Sequence, residues 1–371
     1  MQVSLFFSDN NKLEEFLIIP QISEHLLGNG HCVINLGYSS DEYLHIMYGA
    51  HATNPYYISL PISEIKKRMF FNSPPEADIW PEKLTYPQFY LVDNKTLLFY
   101  RAQSDLYISV YNSENKKWKD LYNGPFLKAG DSYSSVYMDR LAIQDKKINI
   151  SWVYRLKMED SNKVINDGIY MLHSEDGGIS WRDNQGIFYS PPITKEMVSK
   201  TIPISLEAGL INQNSSAFGM NDKLYLVHHY QDINGISQIF LSVVNQNGLI
   251  CQEVVSQNKI AFDLIGKGTL LLPLSRPEIA VSEKNIHVIY REKDNLIITS
   301  KPLSQVCDEK WSFFSPETQP LGGYEPNYDI EFWNKERKLV LYIQGARQGP
   351  GDKAILGPAE PAFLYEFQEI N

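Results

Sequence analysis

Gln144-Asp145-Lys146-Lys147-Ile148-Asn149-Ile150-Ser151-Trp152-Val153-Tyr154-Arg155 is a polar tight turn that runs into a strand. Ile148, Ile150, Trp152 and Tyr154 alternate with Asn149, Ser151, Val153 and Arg155, and a period of two belongs to strands, not helices. The pattern recurs along the chain. Ser40-Asp41-Glu42 precedes Tyr43 to Tyr48, Asp93-Asn94-Lys95 precedes Thr96 to Arg101, and Asn221-Asp222-Lys223 precedes Leu224 to Tyr230. Glu283-Lys284-Asn285 before Ile286 to Arg291 and Asn334 to Lys338 before Leu339 to Gln344 complete the series. Asx-rich turns feeding alternating apolar runs are hairpin signals.

Outward from each turn, a strand comes before (Tyr86 to Val92, Ser135 to Ala142, Arg276 to Val281, Tyr328 to Phe332) and another after (Leu106 to Tyr111, Gly168 to His173, Gln238 to Val244, Leu296 to Ser300). Each unit reads as a four-stranded antiparallel sheet, and recurrence at roughly 50 to 75 residues is of the kind that builds propellers. Six units are visible, and Gln2 to Phe7 and Ala362 to Phe367 are strand-like ends suited to a shared closing sheet. The expectation is an all-β chain, 1–371 as a single domain, folded as one β-propeller of seven four-stranded antiparallel blades. A pair of β-sandwiches is the alternative. Helical periodicity is confined to Ile62 to Phe71 and Thr194 to Lys200.

Directly after the third strand of the first-quoted unit comes Ser174-Glu175-Asp176-Gly177-Gly178-Ile179-Ser180-Trp181, which fits the Asp-box pattern S-x-D-x-G-x-x-W. Its physics is structural: an aspartate that accepts backbone hydrogen bonds, a glycine that takes positive φ, and a tryptophan that packs between sheets. Ser174, Asp176, Gly178 and Trp181 are therefore read as a turn, with Asp176 at the end of the sheet away from Arg155. Ser113 to Trp118 and the segment ending at Trp311 look like worn copies.

Aromatic residues make up 12% of the 371 and include 23 tyrosines, a composition that favours strands. The formal charge of −10 leaves no basic stripe to neutralise phosphates, so nucleic acid is not an expected partner. Cys32, Cys251 and Cys307 are odd in number and widely spaced, which argues against a disulfide framework or a cysteine zinc site. No apolar run approaches the ~20 residues of a membrane span. Met1 to Asn10 lacks the basic and apolar regions of a signal peptide, so the compartment stays open: secreted or periplasmic if a leader was removed. Nothing in the sequence calls for a cofactor, and a structural metal ion is left open.

Three second strands end on Tyr-Arg: Tyr100-Arg101, Tyr154-Arg155 and Tyr290-Arg291. Alternation points each arginine opposite its tyrosine, where strand meets loop. Aligning all six second strands puts His51, Arg101, Arg155, His229, Arg291 and Gln344 at one position, and first strands begin at the same mouth with Tyr86, Tyr137, Arg276 and Tyr324. Arginines pair carboxylate or sulfate bidentately, histidines titrate near neutrality, and tyrosines pass protons. Around a uronic acid, these groups suit β-elimination: arginine neutralises the carboxylate, histidine takes the C5 hydrogen and tyrosine protonates the leaving O4. A carboxylate pair of the glycosidase kind has no representative there.

The order of motifs resembles the BNR-4-type seven-bladed propellers, which include ulvan lyases and related rhamnose–glucuronate polysaccharide lyases. The resembling stretches are His45 to His51, Thr85-Tyr86-Pro87-Gln88-Phe89, Leu97 to Arg101, Val136-Tyr137, Ser151 to Arg155, the Asp box, Ser275-Arg276-Pro277 and Glu325 to Asp329. The resemblance implies His51 as base, Tyr137 as acid and Arg155 as neutraliser. Arg101, His229, Tyr86, Arg276, Arg291 and Gln344 follow as substrate contacts, and an acidic polysaccharide as the partner. Tyr133 and His229 are the alternatives to Tyr137 and His51. The chain departs from the family at Met138, where a proline is usual, and at Ala102-Gln103-Ser104-Asp105, where glycines are usual. The second departure lines the mouth and argues for a substrate other than ulvan. Two further readings stand beside the lyase: a sialidase-like glycoside hydrolase and a glycan-binding propeller without catalysis.

Overall fold

The computed structural model describes residues 3–9, 12–19, 31, 34–67, 78–130, 134–158, 163–219, 222–266, 268–308, 310–347, 349, 351, 355, 357 and 362–368. Its described residues are all-β, and among them are two short helices, Ile62–Lys67 and Ile330–Glu336, and two 3-10 turns. Among the described residues no helix is long and apolar enough to cross a membrane. The chain groups into two compact units, Met1–Lys128 and Ala129–Gly351, with Ile355–Asn371 belonging to the second.

In the first unit, Val3–Asp9 and Lys12–Ile19 form a hairpin. A four-stranded sheet follows in the order Ile34–Tyr38, Tyr43–Tyr48, Tyr56–Pro61, Asp78–Ile79. The next sheet runs His51–Thr53, Leu84–Val92, Lys95–Ala102, Asp105–Asn112, with Lys117–Asp120 and Leu127–Lys128 both against its last strand. These two sheets pack face to face through Met47, Ala50, Leu84, Leu98 and Tyr100, flanked by Tyr57, Trp80, Phe89 and Trp118. Burying each methionine or leucine side chain there contributes about 1.5–3 kcal/mol.

In the second unit, Ser134–Met138, Lys147–Lys157, Val164–Ser174, Trp181–Arg182 and Phe188–Tyr189 form one sheet, with Ala142–Gln144 also on Lys147–Lys157. Two four-stranded sheets follow: Ser215–Phe218, Leu224–Gln231, Ser237–Asn245, Gly248–Val254, and then Glu278–Val281, Asn285–Glu292, Asn295–Pro302, Ser312–Phe314. The last sheet has three strands, Asn327–Tyr328, Lys338–Gln344 and Ala362–Gln368. Consecutive sheets share cores, one built from Val227, Ile239 and Leu241 against Ile279, Val288 and Tyr290. Another joins Ile289 and Ile298 to Trp333, Leu339 and Leu341. The middle strands are buried on both faces, which is why Tyr100, Tyr154 and Tyr290 are all enclosed.

Four sequence expectations change. The terminal strands do not share a sheet: Val3–Asp9 pairs with Lys12–Ile19 and Ala362–Gln368 with Lys338–Gln344, each inside its own unit. The Tyr328 to Phe332 strand stops at Tyr328, because Asp329 caps a helix by accepting from the Phe332 N–H at 2.9 Å. Thr194 to Lys200 forms no helix, whereas Ile62–Lys67 does. Finally, Cys251 and Cys307 are a disulfide, their Cα atoms 6.2 Å apart. Two cysteines 56 positions apart meet because consecutive sheets bring the Gly248–Val254 strand beside the loop after Leu303–Gln305. Spacing in sequence carries no trace of that.

The Ser174–Trp181 segment turns from the Val164–Ser174 strand into Trp181–Arg182. Asp176 Oδ1 accepts from the N–H groups of Ile179 (3.1 Å) and Ser180 (2.9 Å), and Oδ2 accepts from Ser180 Oγ at 2.6 Å. Ser174 Oγ accepts from the Gly178 N–H at 2.9 Å, and Gly178 sits at φ 85° where a side chain would be strained. These donors hold the Asp176 carboxyl down at about 2, against the opposing effect of burial. Ile148 pairs with Ser174 and Arg155 with Asn166, so the turn and Arg155 lie at opposite ends of one sheet.

Candidate functional site

In the first unit, one side-chain cluster forms where the chain passes between sheets. Gly49 at φ 78° breaks the Tyr43–Tyr48 strand, and His51–Thr53 crosses to pair with Leu84–Val92, His51 opposite Thr85. His51 therefore lies beyond its second strand, on the edge of the next sheet, and not at the strand-end position that alignment gives it. The crossing is pinned by the Ala52 N–H to Thr85 Oγ1 at 2.9 Å and by the Thr53 hydroxyl to the Gly49 carbonyl.

Tyr86 occupies a bulge between the Thr85–Arg101 and Gln88–Phe99 pairs and has φ 53°. Positive φ at a tyrosine costs on the order of 1–3 kcal/mol and persists where surroundings enforce it. The bulge turns the ring beneath Arg101, whose guanidinium carbon lies 5.1 Å from its centroid. The ring centroids of His51 and Tyr86 are 6.1 Å apart, and His31 stacks on His51 at 4.7 Å. His31 carries no sequence signal, since no strand or turn pattern surrounds it; proximity alone brings it in.

The second unit brings Tyr137 and Arg155 together. Ser134–Met138 pairs with Lys147–Lys157 so that Ser135 faces Arg155 and Tyr137 faces Val153. Arg155 reaches back along the sheet: Nη1 donates to Tyr137 Oη at 3.3 Å, and the guanidinium lies 5.2 Å from the ring centroid. Its Nε is buried and makes no hydrogen bond within the described protein. A guanidinium so placed keeps donors for the bidentate pairing that a carboxylate or sulfate offers. Tyr133 lies outside the described residues.

The other mouth candidates are committed to the fold. His229 is wholly enclosed, with Nε2 2.5 Å from Ser237 Oγ. Burial, followed by the charges of Arg276 and Arg291, pushes its pKa down to about 3, so it is neutral. Arg276 grips Glu325 with Nη1 at 3.0 and 3.1 Å and donates from Nε to the Asn212 carbonyl at 2.8 Å. Arg291 is 5% exposed and donates to the carbonyls of Tyr324, Lys293 and Leu272. Gln344 is half-buried and accepts from the Tyr342 hydroxyl at 3.2 Å. Strand alternation fixes where a side chain starts, but the loops that fold over it decide whether it meets solvent or a carbonyl. Glu325, the partner of Arg276, gave no sign of that role in the sequence.

Two further groups support the second unit. Asp139 is fully buried and accepts from Ser151 Oγ (2.8 Å) and from the backbone and side-chain N–H groups of Asn214 (2.7 and 3.1 Å). Desolvation raises its carboxyl to about 6 in spite of those bonds. Arg140 donates to Glu278 at 2.7 Å and to Asn327 at 3.2 Å, tying three sheets. Among the described residues no group of three or more histidine, cysteine or acidic side chains could hold a metal ion.

The solved structures similar to this chain include polysaccharide lyases. The crystal structure of the polysaccharide lyase Uly1 matches at 16% identity with TM-score 0.63, covering 99% of this chain and 87% of that one. An ulvan lyase of a new polysaccharide lyase family matches at 15% identity and TM-score 0.63, over 90% of this chain and 78% of that one. The same enzyme bound to -[GlcA(1-4)Rha3S]- matches at 14% identity and the same TM-score and coverage. At such identities the likeness establishes a shared fold. Comparison by sequence with curated proteins finds no match. The profile of the BNR repeat-containing family matches residues 8–257, well over half the chain, so this protein belongs to the BNR repeat-containing family.

Proposed function

We propose that the chain is a polysaccharide lyase on a β-propeller scaffold, cleaving a uronic-acid-containing polysaccharide by β-elimination. The contact of Arg155 with the Tyr137 hydroxyl carries the reading: it sets a cation with uncommitted donors beside a proton-bearing hydroxyl. Arg155 pairs with the uronate carboxylate and stabilises the charge that develops as the C5 hydrogen leaves. The resemblance to such lyases, and no contact between the units, supplies His51 as the base: it accepts that hydrogen as a proton, the electron pair forms the C4–C5 double bond, the C4–O4 bond breaks, and O4 takes a proton from Tyr137. The Ser174–Trp181 turn, an Asp box by its pattern and bonds, serves the scaffold and not the chemistry.

The test follows the ultraviolet absorbance of the unsaturated product over a panel of uronate polysaccharides. Arg155→Ala is expected to abolish turnover, and Tyr137→Phe and His51→Ala each to lower kcat by about 10²–10⁴-fold, with unchanged circular dichroism. Full activity in Arg155→Ala removes the neutraliser. A panel with no absorbance change, together with free sialic acid released from a sialoside, overturns the lyase in favour of a sialidase-like hydrolase. A second reading, a glycan-binding propeller without catalysis, is favoured by the stacked His31, His51, Tyr86 and Arg101, since aromatic and guanidinium faces also serve recognition alone. Binding across the panel without turnover selects it.

A further inference from the structure

The first unit holds a pocket of about 460 Å³ whose lining residues Ala52 and Ala102 directly follow His51 and Arg101 in the chain. Its polar lining is Glu82, Lys83, Gln103, Tyr107 and Asp120. The volume is within the range of about 300–1,000 Å³ usual for small-molecule sites. Ala102 and Gln103 belong to the tight turn that joins Lys95–Ala102 to Asp105–Asn112, with Gln103 at φ 55°.

Its chemistry is specific. Tyr107 is half-buried, with its ring stacked on Tyr100 at 5.7 Å and 14°. Glu82 Oε2 and Asp120 Oδ1 lie 3.2 and 3.5 Å from the hydroxyl oxygen of the buried Tyr100, which holds the two carboxylates close together at the pocket wall. Asp120 is held there by Ser109 Oγ at 2.9 Å. Two converging carboxylates accept hydrogen bonds from neighbouring sugar hydroxyls, and an aromatic ring takes the apolar C–H face of a pyranose. Lys83 balances only one of the two negative charges. A sulfate or second carboxylate placed there meets like charge, which is a repulsive element against such ligands.

We propose that this pocket binds a neutral, unsulfated pyranose residue of the polysaccharide and rejects a sulfated one. That the polysaccharide is a uronate polymer undergoing elimination rests on the lyase reading; the selectivity of the pocket does not.

Calorimetric titration with ulvan oligosaccharides and with the same oligosaccharides chemically desulfated tests the pocket whether or not turnover occurs. The desulfated probe is expected to bind the native protein at least about tenfold more tightly than the sulfated one. Glu82→Gln combined with Asp120→Asn should bring that ratio below about threefold, and Tyr107→Ala should weaken the desulfated probe by about tenfold. Equal or tighter binding of the sulfated probe, no binding of either probe, or an unchanged ratio in the double variant overturns the assignment. The wild-type comparison decides alone if a variant does not fold. Selective binding of the desulfated probe with no unsaturated product on any uronate polymer sinks the lyase reading and leaves the pocket standing.

Discussion

Arg155 and Arg291 follow a buried tyrosine at equivalent strand ends, yet their surroundings give them different work. Arg291 spends its guanidinium on three backbone carbonyls, whereas Arg155 holds one tyrosine hydroxyl and leaves Nε without a partner. Arg291→Ala strips those carbonyls of their donors and is expected to cost about 3 kcal/mol, read as a lower urea midpoint. Arg155→Ala should cost under about 1 kcal/mol, while on the proposed lyase chemistry it removes turnover. The buried histidines set a pH dependence. His45, His228 and His229 have pKa values pushed by burial to about 4, 3 and 3, below the ordinary 6.5. Between those values and 6.5 the unfolded chain binds protons that the folded chain refuses, so their stabilisation is present above 6.5 and is lost as pH falls. Asp139 acts in the opposite sense: its folded pKa of about 6 lies above the ordinary 3.8, so its contribution is full below 3.8 and disappears as pH rises through 6. Urea midpoints should therefore fall between pH 6.5 and 4. The fall should steepen in Asp139→Asn, and a slope unchanged in that variant contradicts the assignment.

At the scale of elements, the strands were legible and their ends were not. Lys95–Ala102, Lys147–Lys157, Leu224–Gln231 and Asn285–Glu292 stand within two residues of where alternation puts them, because both faces are apolar enough to be buried and Asx turns punctuate them. Tyr328 to Phe332 misled because five residues cannot separate a strand from a capped helix by period alone; the Asp329 cap was the available sign. Residue-by-residue alternation puts His51 on its strand, although Gly49 turns the chain to the next sheet first. The Ser174–Trp181 turn was readable in full, since its bonds are local. Asp176→Ala removes two backbone acceptor bonds and is expected to destabilise by about 2 kcal/mol, measured by thermal melts, with catalytic constants per folded molecule unchanged. Loss of kcat in well-folded Asp176→Ala would move that carboxylate into the chemistry.

Across the whole molecule, the Cys251–Cys307 bridge closes a loop of 56 positions in the second unit. Such a closure is worth about 2–4 kcal/mol. Cys251→Ser should lower the unfolding midpoint accordingly, and added reductant should lower the wild type but not the variant. Disulfides persist in oxidising compartments and are rare in reducing ones. The sequence by itself determined the all-β class, the order of repeated hairpins, the local turn at Ser174–Trp181 and a set of basic and aromatic residues at strand ends. Each of these is written in period, turn chemistry or local spacing, which act over a few residues. Only the tertiary structure decided that Arg276 is held by Glu325, that His229 is sealed in the core, that His31 joins His51, and that two distant cysteines meet. Those outcomes depend on which loop packs over which strand end, and long-range packing leaves no periodic signal along the chain.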